Sequence, residues 1–205
     1  MLSVGFLVIE KLQLKRCWVI KMGGLIKDDI SLTFDDVFII PQYSEVRSRS
    51  DIETWSSVGE GIGLNVPLIA TPMDTICEKE MAIALGQLGG MGTIHRFMSI
   101  DEQIAQVNET LNYVNNGHLA AAVGVGLSDR KRITRLCQET NIKVLNIDIA
   151  HGHHRLMKET IGAIRAGFPE IHIMAGTVCT PEAVKDLIEW GADSIQVGVG
   201  NGSLC

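Results

Sequence analysis

The chain has 205 residues, 46% of them hydrophobic, 5% aromatic and 20% charged, with 21 glycines and a formal net charge of −6. That length supports one sizeable core, and a Gly-rich, aliphatic, aromatic-poor composition excludes disordered, collagen-like and coiled-coil classes. The acidic balance leaves no basic surplus to neutralise phosphates, so nucleic acid is excluded as a general partner. Five cysteines without a close CxxC pair argue against a disulfide framework and point to a reducing cytoplasm.

Residues 1–21 have a texture of their own, aliphatic with Lys11, Lys15, Arg16 and Lys21 and a single acid, Glu10. Their longest uncharged run, 2–9, falls far short of the about 20 residues that cross a bilayer. No basic stretch precedes it and no small-residue cleavage site follows, so neither a membrane span nor a secretory signal is expected. This segment is read as a poorly ordered extension, with Met22 as the natural start of one domain over 22–205.

From residue 64 onward one pattern repeats: a short Val/Ile-rich run, a polar or Gly turn, then a helical stretch. The apolar runs lie at 66–70, 91–95, 119–125, 144–149, 171–175 and 194–199. Their starts are about 23–28 residues apart, the size of one βα unit. Nearly continuous apolar character marks strands buried on both faces. A helix is expected over 75–88, closed by Gly89-Gly90. Ser99 and Glu102 form a capping box for a helix reaching Val114. Ser128 is expected to cap the next one, and Thr180-Pro181 opens another that Gly191 ends.

Six strands alternating with five helices leave two architectures, a (β/α)₈ barrel or an open doubly wound sheet. Polar or Gly-rich groups follow almost every strand: Thr71 to Asp74, His95-Arg96, Gly124 to Gly126, Asp148 to His151, Gly176-Thr177 and Gly200 to Cys205. A doubly wound sheet concentrates such groups at one switch point, so the distribution favours a barrel. The expected fold is therefore an incomplete (β/α)₈ TIM barrel, with about six of eight units present. His151, His153 and His154 resemble a metal cluster, but consecutive residues leaving a strand point in different directions, so a His-rich loop is the simpler reading. Cys17, Cys77, Cys137 and Cys179 read as small hydrophobes. Asp35 and Asp36 read as structural, and Glu182, Lys185, Asp186 and Glu189 as a solvated helix face.

Four motifs occur in order: Leu32-Thr33-Phe34-Asp35-Asp36-Val37, Pro72-Met73-Asp74-Thr75, Ile147-Asp148-Ile149-Ala150-His151-Gly152-His153 and Val197-Gly198-Val199-Gly200-Asn201-Gly202-Ser203-Leu204-Cys205. Together they resemble the IMP dehydrogenase/GMP reductase family from about residue 28 to the last residue. The resemblance implies a purine nucleotide oxidoreductase in which Cys205 attacks the purine C2. Met73 is implied to contact the purine, Gly202 and Ser203 to hold the nucleotide near its phosphate, and Asp148 with Ala150 to face NADPH or NAD. The carbonyls of Gly200, Gly202 and Cys205 match a monovalent-cation site, potassium being the implied ion. A homotetramer is the implied assembly.

Within the family, the stretch from His95 to Leu119 leaves no room for the regulatory modules that many dehydrogenases insert there. That favours GMP reductase, converting GMP to IMP with NADPH, over an IMP dehydrogenase that lacks those modules. A third reading is an inactive barrel fragment that only binds full-length relatives. Thr177 stands where the family has Asn, Gln196 where it has Lys or Arg, Asn201 where it has Pro or Ser, and Leu204 where it has Ile or Val.

Overall fold

The computed structural model describes residues 7–10 and 37–199. Gly200, Gly202, Ser203, Cys205, Asp35, Asp36 and Cys17 lie outside the described residues. The elements in order are β1 (Leu7–Glu10), β2 (Ser56–Gly59), β3 (Ile62–Leu64), α1 (Lys79–Gln87), β4 (Gly92–Ile94), α2 (Ile100–Leu111), β5 (Leu119–Val123), α3 (Leu127–Glu139), β6 (Val144–Asp148), α4 (Arg155–Gly167), β7 (His172–Val178), α5 (Pro181–Trp190) and β8 (Ser194–Val197). β2 and β3 form an antiparallel hairpin with a register shift near Gly59.

The main sheet runs β1-β8-β7-β6-β5-β4. β4 to β8 are parallel and each pairs with its sequence neighbour, so the order never reverses. One core unites Ala82, Val107, Leu136, Ile161 and Leu187 of the five helices with Ile94, Ala121, Leu145, Ile147, Ile173 and Ile195 of the strands. Those strand residues alternate with a second set, Ala120, Val144 and Met174, which packs with Met91 against Val58, Ile62 and Leu64 of the hairpin. All five helices therefore lie on one face, and the hairpin closes part of the other. An α/β fold with a singly wound parallel sheet results, without the switch point of a doubly wound one.

The sheet does not close on itself. The expected strand at 66–70 is reduced to a single parallel bridge between Ile69 and Met91, flanked by the Ala70 N–H donating to the Met91 carbonyl at 2.9 Å. At the other side β1 pairs antiparallel with β8, Leu7 opposite Val197 and Glu10 opposite Ser194. The outer edge of β8 is thus occupied.

Local chemistry explains where the helices begin. α1 starts later than expected because the Met73 carbonyl accepts from both Ile76 and Cys77 N–H, which spends 74–77 on a turn. The Ser99 capping box forms as read, with Glu102 N–H donating to Ser99 Oγ at 3.2 Å and Ser99 N–H to Glu102 Oε2 at 2.9 Å. That helix stops at Leu111 rather than Val114, and a 3₁₀ turn at Asn116–His118, capped by Asn115, leads into β5. Ser128 is not a cap; Gly126 holds that position, and the buried Asp129 turns back to accept the Gly124 N–H at 2.8 Å. Thr180 caps α5 with Pro181 in its first turn, and Gly191 ends it at φ 109°, where an L side chain is strained.

Candidate functional site

The parallel strands all deliver their C-terminal ends to one rim. Met73, half-buried, lies beyond the Ile69 bridge; Arg96 follows β4, Gly124 follows β5, Asp148 ends β6, Thr177 lies near the end of β7 and Gly198 follows β8. Of the sequence-predicted site residues, this places Met73, Asp148 and Ala150 at the same end of the sheet. Ala150 and His151 are exposed there. β8 ends at Val197, eight residues before Cys205 along the chain.

Asp148 is the ionisable group at the centre of this rim. Burial pushes its carboxyl above the usual carboxylate range, and the Arg96 guanidinium pulls it partly back. Arg96 also stands over the Phe97 ring at 5.2 Å. Gly124 makes room for this cation: a Cβ there would lie 2.7 Å from Asp129 Oδ2 and 3.2 Å from Arg96 Cζ. Asp129 in turn holds Arg132, whose Nη1 donates to Gln103 Oε1 at 2.7 Å and whose Nη2 donates to the Met98 carbonyl at 2.8 Å. Gln103 Nε2 reaches the carbonyls of Ile94, His95 and Ala122, so α2, α3 and the ends of β4 and β5 are locked together beneath the rim.

A second brace supports the β4 end. His95 is buried, its Nδ1 accepts the Phe97 N–H at 3.1 Å, and its Nε2 stands 3.0 Å from Glu78 Oε1. An Nδ1 that accepts leaves the proton on Nε2, so Nε2 donates to Glu78. Glu78 Oε2 accepts from Gln106, and these hydrogen bonds hold its carboxyl below the usual range.

The histidine loop divides its labour. His154 caps α4, its Nδ1 accepting the Leu156 N–H at 3.1 Å. His153 Nε2 lies 2.8 Å from Asp186 Oδ2 and its ring stacks on Trp190. Asp186, expected to be merely solvated, therefore ties α5 to this loop. Gly152 presses against β7: its N–H donates to the Thr177 carbonyl at 2.8 Å, and a Cβ would sit 2.9 Å from that oxygen.

Arg96 is a rim residue that sequence reasoning placed at a strand end without a role; its signal was a lone cation directly after a buried strand. An acceptor carboxylate, a cation and exposed backbone at Ala150 suit the polar groups of a nicotinamide dinucleotide, so the rim fits the implied cofactor.

The chain matches the IMP dehydrogenase / GMP reductase domain family over residues 31–205. It is 30% identical over 213 residues to an inosine-5'-monophosphate dehydrogenase of Cryptosporidium parvum, covering 85% of this chain and 52% of that protein. A second inosine-5'-monophosphate dehydrogenase, from Borreliella burgdorferi, is 31% identical over 223 residues, covering 85% and 55%. GMP reductase 2 of Bos taurus is 33% identical over 185 residues, covering 88% and 53%. The chain spans about half the length of these curated relatives.

Proposed function

This chain belongs to the IMP dehydrogenase / GMP reductase family, and from that premise we propose that it supplies the nucleotide-handling part of a GMP reductase built on a (β/α)₈ barrel. The observation that carries the reductase reading is the short link after β4. Only five residues separate Ile94 from Ile100, and they are fixed by the Phe97 N–H to His95 Nδ1 bond and the Ser99 cap. No module fits into that link.

On this reading the Cys205 thiolate adds to C2 of GMP, and the 2-amino group leaves as ammonia once it has taken a proton. A thiolate suits this step because it is nucleophilic near neutral pH and departs readily. NADPH would supply the hydride that adds to C2, after which the C2–S bond breaks to release IMP and return the Cys205 thiolate. Asp148, with Ala150, holds the polar part of the cofactor, and the Arg96 charge favours the ionised form of the Asp148 carboxyl. Met73 bears on the purine, Gly202 and Ser203 on the phosphate, and the Gly200, Gly202 and Cys205 carbonyls take a potassium ion. A homotetramer in the cytoplasm is the proposed state of the whole protein.

The dehydrogenase reading is favoured by the Gly89 to His95 stretch, which looks more like that branch. The test uses the complete polypeptide that carries this chain. NADPH oxidation with GMP, lowered by several orders of magnitude in Cys205→Ser while GMP still binds, supports the reductase. NAD reduction with IMP alone moves it to the dehydrogenase branch, and an unimpaired Ser variant defeats the covalent step.

A further inference from the structure

The β2–β3 hairpin has few ties to the rest of the molecule. Its buried side chains, Val58, Ile62 and Leu64, pack with Met91, Ala120, Val144 and Met174 in a small core separate from the one beneath the helices. Among the described residues no backbone hydrogen bond joins 56–64 to the parallel sheet. The chain leading into the hairpin, 37–55, is exposed throughout and adds no anchor.

Two histidines grip the hairpin from opposite strands. His118 stands against β3, its Nε2 3.3 Å from the Gly63 carbonyl oxygen and its Nδ1 3.1 Å from that of Gly86. A neutral ring donates to one of these oxygens and a protonated ring to both, so acid does not weaken that contact. His172 stands against β2. The Gly59 backbone is so close that a Cβ there would overlap the ring Cε1 and lie 2.9 Å from Nδ1, and the hairpin register shifts between Ser57 and Gly59 at this point.

The His172 pocket suits a neutral ring. The side chain is buried, with Nε2 2.9 Å from Ser194 Oγ. Nδ1 is 4.0 Å from Asp193 Oδ2, too far for a hydrogen bond, and that oxygen already accepts from the Arg165 guanidinium and the Ile173 N–H. A second ring proton would therefore place an imidazolium near Arg165 with no acceptor of its own. Burial outweighs the attraction of Asp193, and Arg165 opposes the proton as well. Of the other charged residues nearby in the chain and the sheet, Glu60 and Lys143 are exposed, and Glu10 of β1 is in register with Ser194.

We propose that the β2–β3 hairpin is an acid-released flap, latched at neutral pH by the His172 ring against Gly59. Opening gives the ring to water and uncovers Met91, Ala120, Val144 and Met174 on the face of the sheet away from the helices. The open form takes up the proton near the ordinary histidine value of about 6.5, so its population rises by at most about tenfold for each pH unit below that. A two-stranded hairpin off its sheet is marginal in water, so its amides then exchange.

The test is hydrogen exchange of the 205-residue chain at pH 7.5 and pH 5.5, read by peptide mass spectrometry as protection relative to the intrinsic rate. Protection over 56–64 is expected to fall several-fold at pH 5.5 while β5, β6 and β7 keep theirs, and binding of an apolar dye should rise in parallel. His172→Gln can still meet Ser194 but takes no proton, so the fall should vanish. Gly59→Ala drives a methyl into the ring and should open the flap already at pH 7.5; adding His172→Ala should close it again. An equal fall in β5 to β7, no fall over 56–64, or a fall that survives His172→Gln overturns the latch. So does a fall that Glu10→Gln or Glu60→Gln abolishes and His172→Gln does not. If His172→Gln lowers protection at both pH values, the Gly59 pair decides: no opening in Gly59→Ala, or no closure on removing the ring, overturns it.

Discussion

His95 Nε2 donates to Glu78 Oε1 at 3.0 Å, joining the end of β4 to the residue that precedes α1. His95 is 2% exposed while Glu78 meets solvent, so the bond carries a rim strand to a surface helix start. Removing the charge should loosen both. Glu78→Gln is expected to cost about 1 kcal/mol at pH 7, less than the about 1.5–3 kcal/mol of a charged hydrogen bond because Glu78 is partly solvated. Its folded-state pKa is depressed, so the contribution is present above the unfolded value and lost as pH falls through the folded one. Denaturant titrations at pH 7 and pH 3.5 check this: the gap between wild type and variant should narrow at the lower pH.

Acid should also act at the opposite end of the sheet, through His172. Its Nε2 lies 2.9 Å from Ser194 Oγ, and Gly59 of the hairpin presses so closely on the ring that a Cβ there would clash with it. Burial lowers the His172 pKa more than Asp193 raises it, and Arg165 lowers it further. The unfolded chain therefore binds the proton first, and stability falls as pH drops below about 6.5. His172→Gln should flatten that part of the pH–stability curve. A variant curve parallel to wild type between pH 7 and pH 5.5 would contradict this assignment.

Asp148 is expected to trade stability for function. Its raised pKa means that the charged carboxylate is disfavoured in the fold, so Asp148→Asn should raise stability by about 0.5–2 kcal/mol at pH 7. The gain should shrink as pH falls and the wild-type carboxyl becomes protonated. The same variant should raise the KM for the nicotinamide cofactor in the complete enzyme. Thermal melts and cofactor titrations separate the two effects.

The described thiols should differ sharply in reactivity. Burial pushes Cys77 up to about 11 and Cys137 up to about 12, whereas Cys179 is exposed. At pH 8 about one Cys77 in a thousand is a thiolate. Iodoacetamide followed by peptide mass spectrometry should modify Cys179 in the native chain and reach Cys77 and Cys137 only after denaturant.

The alternation of apolar runs and helices was legible because strands buried on both faces need continuous aliphatic sequence, as at Leu119–Val123. The Ser99 box and the Thr180-Pro181 start were legible because their hydrogen bonds are local in sequence. Ser128 was misread because Asp129, one residue on, bonds to Gly124 across the preceding loop, a choice made by tertiary geometry. Of the candidate site, Met73, Asp148 and Ala150 were placed by motif. The coupling of Arg96 to Asp148 and the clearance at Gly124 depend on strands far apart in sequence.

β1 has a consequence for anything that would extend this sheet. A strand has one outward row of N–H and C=O groups, and on β8 the residues from Ser194 to Val197 are matched to Glu10 through Leu7. A further parallel strand, whichever polypeptide provides it, needs that same row. The two pairings are mutually exclusive, so any strand added at this edge must first displace Leu7–Glu10. Leu7–Glu10 and such a strand are rivals for a single edge.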